Sequence, residues 1–330
     1  MGDEKKKVVF SGLRPTGPCH LGHLAGALRN WIRLQDRYRC YYSIVTYHAF
    51  SSEYMNHPVI RDYTFEVAVD WLSIGLDPER STIFIQSEVK EHAELHLLLS
   101  MIIPLPWLQR VPTFKEMQKE LKDKDVNTYG FLGYPVLQTA DIILYKGEVV
   151  PVGEDQAYHV ELAREITRRF NRLYGDIFPE PQIQLTEVPR LAGTDGRKMS
   201  KSFGNSIFLK DPPETIRKKI QPMITDVRRK RRTDPGEPED CPAFTLHKAF
   251  VAEEQRRAIE EGCRTAGIGC LECKNIVIEK LIQILTPFWE RRQRFIENPD
   301  IVWDVLEKGN TKARKVARQT MEEVRTALGF

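Results

Sequence analysis

Val8-Val9-Phe10-Ser11-Gly12-Leu13-Arg14-Pro15-Thr16-Gly17-Pro18-Cys19-His20-Leu21-Gly22-His23 is the stretch on which the fold turns. A β-rich run, Lys7 to Phe10, gives way to a Gly/Pro-rich turn, Gly12 to Gly17, and then to a helix start at His20 to His23. Strand, turn and helix in that order is how α/β folds present backbone N–H groups to phosphate. The alternation recurs further along. Tyr41 to Thr46, Thr82 to Gln86 and Val149 to Val152 read as strands, with helical patterns between them at His23 to Arg37 and Val59 to Ile74. In the latter, Tyr63, Val67, Trp71 and Ile74 recur at steps of four, four and three, and Gly75 closes the helix before Asp77-Pro78. The fold class expected is α/β with a parallel sheet.

After about Phe203 strand signals fade and charged, helix-period sequence takes over. We therefore expect an α/β domain over 1–204, a mostly helical domain over 205–300 and a C-terminal helix within 301–330. That helix has Thr311 as N-cap, apolar Ala317, Met321, Val324 and Leu328, and Gly329 as its stop. The 330 residues are enough for two domains, and 41% hydrophobic with 29% charged residues is ordinary globular composition. The polar start Met1 to Lys7 does not read as a signal peptide, and no apolar run reaches membrane-spanning length. A cytoplasmic location away from membranes is the expectation.

The formal net charge is only +3, yet Arg217, Lys218, Lys219 and Arg228 to Arg232 form a basic cluster. Such a cluster suits phosphate contacts as well as a solvated flank. Of six cysteines, Cys241, Cys263, Cys270 and Cys273 lie together as C-x(21)-C-x(6)-C-x(2)-C. Four thiolates at this clustering satisfy tetrahedral zinc or a four-iron four-sulfur cluster.

Two motifs carry chemistry. His20 and His23 lie one turn apart at a helix start, where they can donate hydrogen bonds to a transferring phosphoryl group; two histidines at that spacing also serve a plain helix start or a weak metal site. Gly22 between them lets a ligand approach the backbone. The second motif, Gly196-Arg197-Lys198-Met199-Ser200-Lys201-Ser202-Phe203-Gly204-Asn205, puts two lysines and two serines on a Gly-flanked loop, where flexible point charges can wrap and release phosphates.

His20-Leu21-Gly22-His23 resembles the HIGH signature of class I aminoacyl-tRNA synthetases, and Lys198 to Ser202 is similar to their KMSKS signature without change. The resemblance covers essentially the whole chain. It implies a Rossmann-like catalytic domain, a helical anticodon-binding domain, ATP with Mg²⁺, tRNA as partner and a homodimer. Gly130 to Tyr145 resembles the specificity helix of the bacterial tryptophanyl members, which implies L-tryptophan as substrate and tRNA(Trp) as acceptor. On that helix Tyr134, Gln138 and Asp141 share one face. An indole N–H only donates and a carboxylate only accepts, so Asp141 would favour indole over an apolar ring; a salt bridge within the protein is the other use of such an Asp.

By the same resemblance Phe10 and His48 complete the pocket floor, Val152 forms its wall and Gln156 takes the substrate ammonium. ATP falls to Arg14, Gly22, His23, Asp155 (ribose), Lys198, Met199, Ser200, Lys201 and Ser202. The catalytic set implied is His20, His23, Lys115, Lys198 and Lys201, with Lys115 reaching the triphosphate. Two positions depart from the family: Thr46 stands where Asp is usual, and Gln138 replaces a common Met. The cysteine pattern resembles a subset with a four-iron four-sulfur cluster, which favours iron–sulfur over zinc. The competing readings are a tyrosyl enzyme, a non-enzymatic RNA-binding relative and a metal-dependent redox protein.

Overall fold

The computed structural model describes residues 6–111, 128–185 and 191–330. Five strands make one sheet: β1 (Val8–Leu13), β2 (Arg39–Ile44), β3 (Ser81–Ile85), β4 (Val149–Val152) and β5 (Gln182–Leu185). Every pairing is parallel and the order is β3-β2-β1-β4-β5, so the Rossmann-like α/β expectation holds. The order reverses between β1 and β4, the kind of switch point where such sheets open a crevice at the carboxyl ends of their strands. Phe10, Tyr41, Phe84 and Val150 belong to the buried core, as apolar strands covered on both faces require.

Two compact units divide the chain. The first comprises Met1–Gly17, Asn30–Thr186 and Phe295–Phe330; the second comprises Pro18–Arg29 and Glu187–Arg294. This division differs from the sequence boundaries at 204 and 300. The segment after the first turn joins residues two hundred positions on: Leu21 N–H donates to the Ile207 carbonyl at 2.9 Å, Leu209 N–H to the Cys19 carbonyl at 2.9 Å, and the Arg29 guanidinium to the Ala249 carbonyl at 2.7 Å.

Three elements depart from expectation. The stretch expected as one helix over 23–37 starts earlier, at Leu21–His23, widens to a π-helical turn at Leu24–Leu28 and resumes as Arg29–Leu34. The terminal helix is Pro299–Leu328, with Asn298 rather than Thr311 at its cap and Pro299 at the first position, where it pre-sets the helical φ. Strand β5, only four residues long and exposed at both ends, was not expected.

The terminal helix covers the edge of the sheet. Its Asn310 Oδ1 accepts from the Ile85 N–H of edge strand β3 at 2.9 Å, and a Cβ at Gly309 would overlap the Ile83 carbonyl oxygen. Ala313, Ala317, Met321 and Val324 then continue into the core. An edge strand with unpaired amides invites association, and a helix laid over it removes the invitation.

Candidate active site

In the first unit the functional side chains follow the carboxyl ends of the strands. Arg14 follows β1, within electrostatic reach of the Tyr134 phenol and the Glu53 carboxylate. After β2 comes the helix Thr46–Glu53 with His48; after β3, Gln86; after β4, the turn Glu154–Gln156. The helix Tyr134–Ile143 begins with Pro135 in its first turn and buries every residue from Thr139 to Ile143.

These elements converge on Asp141, whose residue surface is 1% exposed. His48 Nε2 lies 2.9 Å from Oδ2 and His92 Nδ1 lies 2.6 Å from Oδ1. Gln86 Nε2 reaches both oxygens, at 2.7 and 2.8 Å. The Gln86 amide is oriented by its other end, where Oε1 accepts from Tyr47 N–H at 2.9 Å. Burial alone would push the Asp141 carboxyl up, but His92 and His48 outweigh it and hold the pKa at about 2. Asp141 is therefore an anion at neutral pH.

Around it, His92 Nε2 lies 2.8 Å from the Tyr145 hydroxyl, and Tyr134 OH lies 3.0 Å from His159 Nε2. Tyr134 meets His48 edge-on at 6.3 Å. Phe10 is buried and stacks on Tyr145 at 5.6 Å, so it supports the site from the core. Gln138, Val152 and Gln156 are half-buried. Thr46 accepts from Ser87 N–H through Oγ1 at 3.1 Å, tying the β2 exit to the β3 exit. The side chain of Asp155 and all of Lys115 lie outside the described residues. Sequence reasoning found His48 and Asp141 but missed Gln86, His92 and Tyr145. The one signal available was position: Gln86 directly follows a strand end.

In the second unit His20 caps its own helix. Its Nδ1 accepts from Gly22 N–H at 3.1 Å, and His23 Nδ1 accepts from the His20 N–H at 3.1 Å. The rings stack at 3.7 Å, and a Cβ at Gly22 would crowd the His20 ring at 2.8 Å. Burial, with Lys201 adding to it, pushes His20 down to about 3, and His23 is also lowered well below its ordinary value. Both rings are thus neutral, and because each Nδ1 accepts, each proton resides on Nε2. They can donate hydrogen bonds; they do not supply positive charge.

The lysine loop is folded around one buried amide. Asn205 Nδ2 donates to the Lys198 carbonyl at 3.1 Å and to Asp195 Oδ1 at 2.7 Å, while Oδ1 accepts from Ser200 N–H at 2.9 Å. A backbone bond from Met199 N–H to the Leu191 carbonyl, 2.9 Å, buries the Met199 side chain. Lys198 and Ser202 stay exposed and Lys201 and Ser200 half-exposed, so the loop offers its polar side chains outward.

The four cysteines share this unit and are free thiols. Burial pushes Cys241, Cys263 and Cys273 up, Cys273 to about 12, and in each case the charge of other members of the set adds to the effect. Arg229 Nη1 lies 3.8 Å from Cys263 Sγ, and His247 Nε2 lies 3.3 Å from Cys273 Sγ. Among the described residues no group of three or more His, Cys, Asp or Glu side chains is gathered to hold a single metal ion. Nor, among them, is any helix long and apolar enough to cross a membrane.

Comparison with known proteins yields a consistent set of matches. The family described as tRNA synthetases class I (W and Y) matches residues 3–286. The tryptophan–tRNA ligase of Thermotoga maritima is 51% identical, covering 98% of this chain and 99% of its own length. That of Aquifex aeolicus is 43% identical over 98% and 99%. The tryptophanyl-tRNA synthetase of Campylobacter jejuni, solved with ADP and tryptophan, superposes with a TM-score of 0.85 at 33% identity, over 98% of this chain and 100% of that one.

Proposed function

The chain belongs to the class I tRNA synthetases for tryptophan and tyrosine, and from that premise we propose how its residues divide the work. It is an aminoacyl-tRNA synthetase that activates tryptophan with ATP, releases pyrophosphate and transfers tryptophan to tRNA(Trp). The observation that carries the choice of tryptophan within the family is the buried, ionised Asp141. A carboxylate only accepts hydrogen bonds, and nitrogens of His48, Gln86 and His92 approach its two oxygens. An acceptor of this kind suits a donor with no acceptor character. Indole N–H is such a donor, whereas the phenol of tyrosine also accepts.

Phe10, His48, Tyr134, Gln138, Val152 and Gln156 complete the tryptophan side in this reading. Arg14 and Asp155 serve ATP, and Lys115 the triphosphate. No general base is needed for activation, since the tryptophan carboxylate is itself the nucleophile at the α-phosphorus. Catalysis is positioning and charge stabilisation. The outward side chains of Lys198 and Lys201 support a role in drawing off charge as pyrophosphate leaves, with Ser200, Ser202 and the Met199 backbone shaping the loop. The Nε2–H groups of His20 and His23 donate to phosphate oxygens as neutral hydrogen-bond donors, and Gly22 leaves space beside them. Mg²⁺, held chiefly by phosphate oxygens, accompanies ATP.

Cys241, Cys263, Cys270 and Cys273 hold a four-iron four-sulfur cluster in preference to zinc. What supports this is the cysteine spacing itself and the placing of the four thiols in one unit, where they act on one another electrostatically. Its role is structural, in a helical anticodon-binding part over about 205–300, with the basic run Arg228 to Arg232 alongside. A cytoplasmic homodimer completes the reading. ATP–pyrophosphate exchange measured across the amino acids is the test: exchange with tryptophan alone is expected, and exchange with tyrosine at a similar rate would overturn the role given to Asp141.

A further inference from the structure

The hydrogen bonds around Asp141 have a direction that can be worked out. Asp141 is ionised, so it only accepts, and His92 Nδ1 at 2.6 Å must carry a proton. On the far side of the ring Nε2 lies 2.8 Å from the Tyr145 hydroxyl, which holds the imidazole in place. Burial raises Tyr145 well above the ordinary phenol value, so its proton stays in place. The ring is packed by Phe10 at 5.6 Å, Tyr41 at 4.6 Å and Phe84 at 5.3 Å, all core residues. A second fixed donor comes from the other side. The Gln86 amide cannot flip, because its oxygen accepts from Tyr47 N–H, and so its nitrogen faces both Asp141 oxygens.

We infer that Tyr145, His92 and Gln86 are positioning residues for side-chain selection: the chain from the Tyr145 hydroxyl through His92 to Asp141, with the locked Gln86 amide, fixes the orientation in which the Asp141 carboxylate meets the substrate N–H. None of the three has to touch tryptophan. They act through Asp141, by limiting how its two oxygens can turn. A carboxylate fixed in this way loses little freedom when the indole arrives, so its hydrogen bond is expressed almost fully as selectivity. The inference rests on Asp141 being the acceptor for indole.

The test uses an isostere, β-(3-benzothienyl)alanine, in which sulfur replaces the indole N–H. The readout is its activation relative to tryptophan in ATP–pyrophosphate exchange. The full-length enzyme is compared with Tyr145→Phe, His92→Leu, His92→Asn and Gln86→Leu. His92→Leu and Gln86→Leu are expected to raise KM for tryptophan about ten- to a hundredfold, the loss of a charge-assisted hydrogen bond. They should leave KM for ATP unchanged and shrink the preference for tryptophan over the isostere. Tyr145→Phe, which keeps the ring, should shift the preference in the same direction by less. His92→Asn keeps an N–H donor and should recover part of what His92→Leu loses. A merely structural role would lower kcat, raise both KM values together and leave the preference intact.

Thermal melting identifies any variant that does not fold, and Tyr145→Phe then carries the test. Asp141→Asn runs alongside. Preference abolished there but intact in folded His92→Leu, Gln86→Leu and Tyr145→Phe overturns the positioning inference alone; preference intact in Asp141→Asn as well overturns the indole reading on which it rests.

Discussion

In the proposed reading Asp141 is a selective residue that also bears on stability. Its carboxyl is held at about 2 in the folded protein against an ordinary 3.8. A depressed carboxyl stabilises the fold above its unfolded value, and that stability is lost as pH falls through the folded value. The contribution, of order 2 kcal/mol, is thus present at neutral pH and disappears between about pH 4 and pH 2. Acid titration of stability should show a shallower fall over that window in Asp141→Asn than in the parent, by circular dichroism or melting temperature. In activity, Asp141→Ala should weaken tryptophan binding by roughly 1.5–3 kcal/mol and leave ATP binding unchanged, as measured by equilibrium titration of each; equal losses for both ligands would mark it as structural only. The helix face bearing Tyr134 and Asp141 was readable in the sequence, because helical spacing is a local property. Gln86 and His92 were not, since nothing in their neighbours tells that the β3 exit and the next helix turn toward the same carboxylate. The neutral state of His20 and His23 was hidden for the same reason: it follows from burial and from Lys201, neither visible in a four-residue motif.

At the scale of the element, the lysine loop owes its shape to Asn205. Three hydrogen bonds converge on this one amide, and a Cβ at Gly193 would overlap it. Asn205→Ala is expected to slow adenylate formation about tenfold or more with tryptophan affinity little changed, because it unties the loop without removing a lysine. Lys198→Ala and Lys201→Ala should also lower the single-turnover rate of adenylate formation while leaving tryptophan binding in place; a normal rate in either would remove that lysine from the phosphate role. Elements with strong periodicity or β-rich composition were legible, among them β1, β2, β3, β4 and the helix Val59–Ile74. Strand β5, Gln-Ile-Gln-Leu, was not: four residues are too short a run to stand out, both its ends are exposed, and pairing with β4 makes it a strand. The terminal helix was seen only from Thr311 because its first turns owe their burial to the sheet edge, a tertiary fact. There, Gly309→Ala should cost about 3 kcal/mol in chemical denaturation, the upper end of overpacking, since the obstacle is the Ile83 backbone and cannot rotate away.

At the scale of the molecule, the cysteines and the phosphate-type motifs belong to one compact unit, Pro18–Arg29 with Glu187–Arg294. A cluster bound there would contribute its thiolate–metal bonds to the folding of that whole unit. Cys270→Ser should therefore abolish the visible absorption of anaerobically purified protein, lower the unit's protection in hydrogen exchange, and reduce both pyrophosphate exchange and tRNA charging. Colourless protein with stoichiometric zinc would replace the cluster by an ion, and protein with no metal and four reactive thiols would remove the site. The helix laid against β3 has a bearing on how the molecule is made. All five strands lie between Val8 and Leu185, whereas the helix that shields the outer one begins only at Pro299. A ribosome adding ~5–20 residues per second needs on the order of ten seconds to cover that interval. Throughout it, the nascent sheet carries a bare flank that its own chain has not yet supplied the means to cover, and that flank is open to mispairing until the last helix emerges.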